Sequence, residues 1–182
     1  MMQYQLPISL QPHATFDNYY CNSVYTEALI NQLQQKTVPT IITGRQGSGK
    51  THLLQAACHH HKNNWLFLDC NKLENTEPIL IENLEGQLLC LDNIEQLFQQ
   101  RKWEDALFKL FLLNHNQFLC SSNSSSINTY RKDLQSRLQA MLTLTLPTLS
   151  EQDQFNALQQ KTIKKGLNFP NSLILWMQKN LP

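Results

Sequence analysis

The chain has 182 residues, enough for one domain or for one domain and part of a second. Apolar residues make up 41% of it, and its formal net charge of +1 excludes the global basic field by which many proteins attract nucleic acid. The sequence contains no run of about 18 apolar residues, so we expect no membrane-spanning helix. The five cysteines are widely spaced and form no Cys-x-x-Cys pair, which favours reduced thiols and a cytoplasmic protein.

The first 13 residues show neither a helical nor a strand period and form a predicted tail. Its segment Gln5–Leu10 permits two interpretations: a disordered leader, or an extended peptide that places Leu6, Ile8 and Leu10 in pockets of a partner. An aromatic cluster follows at Thr15–Tyr20. This cluster either packs onto the core or forms a wall beside a nucleotide base.

A phosphate-binding loop is the most specific motif in the chain. The segment Gly44–Thr51 fits the pattern G-x-x-x-x-G-K-[ST]. Glycines let the backbone N–H groups of such a loop face an anion, while Lys50 brings charge to the β- and γ-phosphates and the Thr51 hydroxyl is a Mg²⁺ ligand. The preceding segment Val38–Thr43 predicts a strand, and the following segment Thr51–Cys58 predicts a helix whose N-terminus faces the phosphates.

Strand-like and helical segments alternate along the rest of the chain. The predicted strands cover residues 38–43, 65–70, 88–93, 117–122 and 142–146. The predicted helices cover residues 24–36, 51–58, 75–84, 94–115 with a break near residue 101, 130–141, 151–165 and 171–179. This alternation predicts an α/β fold with a five-stranded parallel sheet and helices on both faces. The run His59–His61 favours a solvated helix end over a metal site, because adjacent helical side chains diverge by about 100°.

A second acid is predicted to hold Mg²⁺. Asp92 follows the buried strand segment Leu88–Leu91, which places it at the sheet edge where ligands bind, next to the phosphate loop. Nucleotide hydrolases of this type commonly place another carboxylate directly after this acid, but here that residue is Asn93, which cannot accept a proton. Glu95 is near, yet it is predicted to enter the following helix. Nucleotide binding is therefore expected, with weak or absent hydrolysis by this chain.

Two further polar residues are candidates for phosphate contacts. Asn123 ends the fourth predicted strand, where it either senses the γ-phosphate and its water or begins a serine-rich loop. Arg137 lies on the helix before the fifth strand, facing away from its own nucleotide and toward a neighbour's. It is either a finger that stabilises charge on a transferring phosphoryl group in trans or a surface arginine.

The order of these motifs resembles the DnaA family of AAA+ ATPases in bacterial replication initiation. Thr15–Tyr19 looks like the family's adenine-lining box, and Ser136–Leu138 matches its Ser-Arg-Leu before the last strand. Leu91–Glu95 and Gln5–Leu10 resemble segments of the DnaA-like regulators in this family, the latter being similar to their clamp-binding peptide. The resemblance implies a P-loop AAA+ base domain at 14–147 after the tail at 1–13, followed by a truncated helical lid at 148–182. No arginine follows Arg137, whereas the family's lid carries one that contacts the nucleotide.

The resemblance also implies roles for individual residues. Nucleotide contacts fall on Phe16, Asp17, Gly44, Gln46, Gly47, Ser48, Gly49, Lys50, Thr51, His52 and Asp92. Mg²⁺ would be held by Thr51 and Asp92, and the nucleotide is ADP or ATP. Gln5, Leu6, Ile8 and Leu10 would bind the DNA polymerase sliding clamp. Asn123 takes the sensor place, and Arg137 would act on ATP bound to the initiator DnaA.

These roles predict a negative regulator of replication initiation that activates hydrolysis in trans. A homo-oligomer is compatible with this prediction, and direct sequence-specific DNA binding is not expected because the initiator's C-terminal helix-turn-helix is absent. The alternative is an active P-loop ATPase of the helicase-loader or DnaA ATPase-domain type.

Overall fold

The computed structural model describes residues 10–35, 38–61, 65–73, 77–82, 88–113, 117–124 and 126–180. Its strands form one parallel sheet in the order β2-β3-β4-β1-β5. The strand bounds are β1 Thr40–Thr43, β2 Trp65–Asp69, β3 Leu88–Asp92, β4 Gln117–Ser122 and β5 Leu142–Thr145. Because the strands are parallel, all of them end at the same edge of the sheet, where α/β proteins bind ligands.

Helices occupy connections between the strands and continue after β5. Their bounds are α1 Val24–Gln35, α2 Lys50–His60, α3 Ile79–Glu82, α4 Arg101–Leu112, α5 Lys132–Gln139, α6 Glu151–Lys164 and α7 Asn171–Asn180. Short 3₁₀ turns lie at Phe16–Asn18, Cys70–Lys72 and Ile94–Leu97. The Ser150 hydroxyl accepts a hydrogen bond from the Asp153 N–H group and caps α6, as the sequence predicts.

Side chains alternate across the strands and build a separate core on each face of the sheet. In β2, Leu66 and Leu68 point to one face and Phe67 points to the other. In β1, Ile41 shares the first core and Ile42 shares the second. Residues of α3, α4 and α5 cover the first face, whereas residues of α1 and α2 cover the second.

The predicted α/β architecture with five parallel strands is confirmed, although several boundaries differ. The predicted helix 94–115 is two elements, because Gln99 adopts a left-handed conformation with φ of 61° between the 3₁₀ turn and α4. This break lies just before Arg101, where the sequence predicts it. The described residues contain no helix that is long and apolar enough to cross a membrane.

Candidate nucleotide-binding site

Three strand ends bring the phosphate loop, Asp92 and Asn123 to one edge of the sheet. The loop follows β1, Asp92 ends β3, and Asn123 follows β4, which lies between those two strands. Although β1 and β3 are not neighbours, the Thr51 hydroxyl in the first turn of α2 donates a hydrogen bond to the Asp92 carboxylate at 2.7 Å. The two predicted motifs are therefore in direct contact.

The Lys50 side chain forms hydrogen bonds to the backbone of the phosphate loop. The residue is only 5% exposed, and its ammonium group donates to the carbonyl oxygens of Gly44 and Arg45, each at 2.8 Å. Burial lowers the pKa of Lys50, and the nearby carboxylates of Glu95 and Asp92 oppose that shift. A buried ammonium held by neutral carbonyls gains a stronger, charged partner when a phosphate enters, so the loop fits phosphate binding.

Tyr19 fixes the aromatic segment onto the loop. Its hydroxyl donates to the carbonyl oxygen of Ser48 at 3.2 Å, and its ring lies against Gly49. Gly49 has a φ of +92°, and a Cβ at this position would lie 2.7 Å from Tyr19 Cε2. Glycine is required here both by the left-handed backbone and by the ring. Burial raises the pKa of Tyr19 to about 12, so its phenol remains protonated and able to donate.

The Asp92 carboxylate is held by two hydroxyl groups. Ser121 donates to Oδ1 and Thr51 donates to Oδ2. Asp92 is 2% exposed, and burial raises its pKa while the two hydroxyl hydrogen bonds act in the opposite direction. A carboxylate beside a hydroxyl at the phosphate loop is the oxygen environment in which Mg²⁺ binds with a nucleotide. Thr51 and Asp92 fit this ion, which would neutralise charge on phosphate oxygens.

A cleft of about 380 Å³ opens beside the loop, within the range of roughly 300–1,000 Å³ typical of small-molecule sites. The loop forms one wall, and α6, α7 and the segment before α6 form the other. The lining residues are Arg45, Gln46, Gly47, Ser48, Thr148, Leu149, Gln154, Ala157, Leu158, Met177 and Gln178. The Ser48 hydroxyl is buried and makes no hydrogen bond to the described residues. A polar ligand in the cleft would supply the partner that this hydroxyl lacks.

In the predicted adenine-lining box, Phe16 and Asp17 contact α2 and α6. Phe16 packs against His60 with 5.8 Å between ring centroids, near the end of α2 that is distant from the loop. The Asp17 carbonyl accepts a hydrogen bond from Lys164 on α6. The aromatic side chain in contact with the loop is therefore Tyr19. The adenine roles of Phe16 and Asp17 stay predictions.

His52 links the aromatic segment to α2. Its Nε2 atom is 2.8 Å from the carbonyl oxygen of Thr15, and its ring lies 5.6 Å from that of Tyr19. Burial is the main cause that lowers the pKa of His52, so the neutral ring is favoured. His52 therefore packs against Tyr19, the ring that contacts the phosphate loop.

The residues after Asp92 return to the nucleotide edge. Asn93 has a left-handed backbone with φ of 57°, and its N–H group donates to Ser121 Oγ at 2.9 Å. The 3₁₀ turn that follows contains Glu95, as the predicted helix entry implies, but the side chain points back to the edge. Asn123 Nδ2 donates to Glu95 Oε1 at 2.7 Å, and the Asn123 N–H group donates to the same oxygen at 3.2 Å. The two side chains are 28 residues apart in sequence, so no local pattern predicts this pair.

Arg137 lies near the ends of the strands that are opposite to the nucleotide site. Its side chain is exposed and lines a groove of about 620 Å³ together with Val38 and Pro39, which precede β1, and Leu142, which begins β5. The phosphate loop follows the opposite end of β1. Arg137 therefore faces away from the chain's own nucleotide site.

The predicted clamp-binding peptide is described only at its last residue. Gln5, Leu6 and Ile8 lie outside the described residues, and their role stays a prediction. Leu10 is half-buried and packs against the core between the sheet and the α1–α2 layer. Leu10 therefore has a packing role within the domain as well as a predicted role in binding.

Comparison with known proteins agrees with this architecture. The protein-family model for the Sigma-54 interaction domain matches residues 22–149. The chain belongs to this family. It is an AAA+ nucleotide-binding domain, and the matched segment includes the phosphate loop, Asp92, Asn123 and Arg137.

Solved structures of replication initiators share the fold. Domain III of the Thermotoga maritima replication initiation protein DnaA is 19% identical with a TM-score of 0.79, covering 94% of this chain and 82% of that chain. AMPPCP-bound DnaA from Aquifex aeolicus is 18% identical with a TM-score of 0.74, covering 94% and 61%. A structure described as a DNA replication initiation factor is 19% identical with a TM-score of 0.74, covering 94% and 60%. The chain thus spans three fifths of the two longer proteins, and the likeness establishes the fold.

Proposed function

We propose that this chain is a regulator of replication initiation that binds the DNA polymerase sliding clamp and stimulates hydrolysis of ATP bound to DnaA. This function resembles that of Hda, the DnaA-like regulator that inactivates the initiator. The nucleotide in the chain's own site, ADP in this proposal, is a structural and regulatory ligand. The stimulated reaction takes place at the phosphate loop of the partner.

The contrast between two arginines near α5 carries the proposal. Arg131 is fixed by Asp105 at 2.6 Å and Asp133 at 2.7 Å, and its guanidinium stacks 4.1 Å from the ring centroid of Phe108. The Arg137 guanidinium lies 5.4 Å from the same centroid and pairs with no carboxylate among the described residues. Arg131 has a structural role, whereas Arg137 presents a charge to the outside.

The surroundings of Arg137 suit contact with another protein. The groove beside it is mostly apolar, and Val38 and Leu142 on its rim are partly exposed. Arginine is enriched in protein interfaces, and the buried core of an interface is more apolar than the rest of the surface. A guanidinium presented in trans to the phosphates of a neighbour can accelerate hydrolysis by about 10³–10⁵-fold in nucleotide hydrolases of other families.

Removal of this guanidinium tests the arginine assignment. Arg137→Ala should retain the fold, nucleotide binding and clamp binding, but it should reduce stimulated hydrolysis of DnaA-bound ATP by about 10³-fold. The assay preloads DnaA with labelled ATP, adds clamp-loaded DNA and this chain, and measures ADP formation. Arg101→Ala is the matched control, because Arg101 is also exposed and its removal changes the net charge equally. Equal stimulation by Arg137→Ala and wild type would refute the assignment.

A second variant tests the proposed tether, that is, the binding of the segment Gln5–Leu10 to the sliding clamp. Replacement of Leu6 and Ile8 by alanine should abolish co-elution with the clamp and leave the thermal unfolding midpoint unchanged. Leu10→Ala is the informative comparison, because loss of its packing should lower that midpoint. A double variant that still co-elutes with the clamp would refute the proposed tether.

A further inference from the structure

The cleft beside the phosphate loop carries charge on only one of its walls. Among the described residues that line it, Arg45 is the only charged one, and it belongs to the loop. The opposite wall, formed by α6, α7 and the segment before α6, contributes only neutral residues. Phosphate groups are bound most strongly by cationic side chains, so Arg45 is the one lining residue that can offer a phosphate a charged partner.

The Arg45 guanidinium is available to a ligand. Its side chain is exposed and forms no hydrogen bond or ion pair with another described residue, whereas Arg131 is held by two aspartates. Many surface arginines are merely solvated, but Arg45 lines a cleft together with Gly47 and the unpaired hydroxyl of Ser48. An unoccupied guanidinium can form two parallel hydrogen bonds to the oxygens of one phosphate.

The loop fixes the position from which this side chain starts. The carbonyl oxygen of Arg45 accepts hydrogen bonds from the Lys50 ammonium group at 2.8 Å and from the Ser48 N–H group at 3.1 Å. Lys50 is buried under the loop, whereas the side chain of Arg45 extends to the cleft. The two cations therefore lie on different sides of one hydrogen-bonded loop. A fixed backbone lowers the entropy that is lost when the side chain binds a ligand.

We infer that the Arg45 side chain binds phosphate oxygens of a nucleotide in this cleft and supplies the charge that the opposite wall lacks. The loop motif specifies Lys50 but leaves the position of Arg45 open, so the motif does not assign this role. The inference concerns nucleotide binding by this chain alone. Its test contains neither DnaA nor the clamp, and it can therefore fail while the proposed function holds.

Arg45→Ala and Arg45→Lys are compared with wild type in the complete chain. The probe is ADP that carries a fluorophore on its ribose, titrated in the presence of Mg²⁺ and displaced by unlabelled ADP or ATP. Arg101→Ala is the matched control, because Arg101 is also exposed but does not line the cleft. The thermal unfolding midpoint without nucleotide is measured for each variant and reports on the fold.

We expect Arg45→Ala to weaken the binding of ADP and ATP about 10-fold, as for the loss of a hydrogen bond between charged groups, with an unchanged unfolding midpoint. Arg45→Lys should retain most of the affinity, because the charge remains. Added salt should bring the affinities of wild type and Arg45→Ala closer together, because it screens an exposed ionic contact.

Three results would overturn the inference. The first is equal affinity of Arg45→Ala and wild type, or an equal loss in Arg101→Ala. The second is a wild type that binds neither ADP nor ATP. The third is a loss of affinity in Arg45→Ala that salt does not change and Arg45→Lys does not restore, because such a loss would come from packing and not from charge.

Discussion

The buried carboxylate of Glu104 organises the side of the domain that carries Arg137. Glu104 is 0% exposed and accepts hydrogen bonds from the backbone N–H groups of Gln99 at 2.9 Å, Tyr130 at 3.1 Å and Arg131 at 2.9 Å. One side chain thereby connects the start of α4 to the start of α5. We predict that Glu104→Ala strongly lowers the free energy of unfolding, because three N–H groups lose their acceptor.

The magnitude follows from these three hydrogen bonds. A hydrogen bond to a charged group contributes about 1.5–3 kcal/mol, and water replaces part of the loss where the donor residue is exposed. Tyr130 is exposed and Arg131 is half-buried, so we take the lower end and expect a loss of about 3–5 kcal/mol for Glu104→Ala. That loss is a large part of a typical total of roughly 5–15 kcal/mol. Glu104→Gln keeps one acceptor oxygen and should cost about 1–3 kcal/mol.

Urea unfolding followed by circular dichroism measures these differences. Asp105→Asn is the matched control, because it alters the adjacent acid and removes only the partly exposed ion pair with Arg131. Such surface pairs contribute about 0–1 kcal/mol. If Glu104→Ala and Asp105→Asn differ by less than about 0.5 kcal/mol, the usual range for surface substitutions, the assigned role of Glu104 is wrong.

Three further predictions concern the nucleotide site. Gly49→Ala places a methyl group 2.7 Å from the Tyr19 ring at a positive φ, so a fluorescent-nucleotide titration should show lost binding; wild-type affinity would contradict this. Burial raises the pKa of Asp92, so the fold disfavours its charged form. Without ligand and near neutral pH, Asp92→Asn should therefore unfold at a urea concentration no lower than that of the wild type. It should also lose the stabilisation by Mg-nucleotide, which is about 2.7 kcal/mol at roughly 100 times the dissociation constant. Because the folded wild type binds the Asp92 proton more tightly than the unfolded chain, this carboxyl contributes stability that is lost as the pH rises through its raised pKa. The stability difference between Asp92→Asn and wild type should therefore shrink as the pH falls toward the usual carboxyl pKa of 3.8, and a growing difference would refute the argument. Tyr19→Phe loses the hydrogen bond to Ser48 and should lower the free energy of unfolding by about 0.5–1.5 kcal/mol in the same urea assay, with nucleotide affinity retained; lost affinity would show that the hydroxyl itself is needed.

The sequence predicts the sheet and the phosphate side of the site because both depend on local patterns. An apolar strand followed by Gly44–Thr51 predicts the loop, and another apolar strand delivers Asp92 to the same edge. In the structure, the Thr51 hydroxyl and the Asp92 carboxylate lie 2.7 Å apart, which agrees with this prediction. Alternation within β1 and β2 likewise predicts which side chains share a core, since successive residues face opposite sides.

The remaining features depend on contacts between distant segments. The direction of Glu95 is set by the left-handed backbone of Asn93 and by Asn123, which lies 28 residues later. Glu104 has the pattern of an acid on an amphipathic helix, and its buried position depends on N–H groups 26 and 27 residues later. Ser121 is an exception, because a serine at the end of a buried strand could have been noted as a partner for Asp92. The wall of the cleft that α6 and α7 form depends on how these two helices pack, which local periodicity does not determine.

The proposed function requires two partners at once, and the geometry of the chain is compatible with this. The tail joins the domain at α2, where the Gln11 N–H group donates to Gln55 Oε1 at 3.0 Å and Leu10 packs against the same layer. Helix α5, which carries Arg137, packs on the opposite face of the sheet. In the proposed complex, a clamp in contact with Leu10 would lie on the side of α1 and α2, whereas DnaA would contact Arg137 beside the beginnings of β1 and β5. Because Leu10 and α5 lie on opposite faces of the sheet, the proposed contacts with two partners would use separate surfaces.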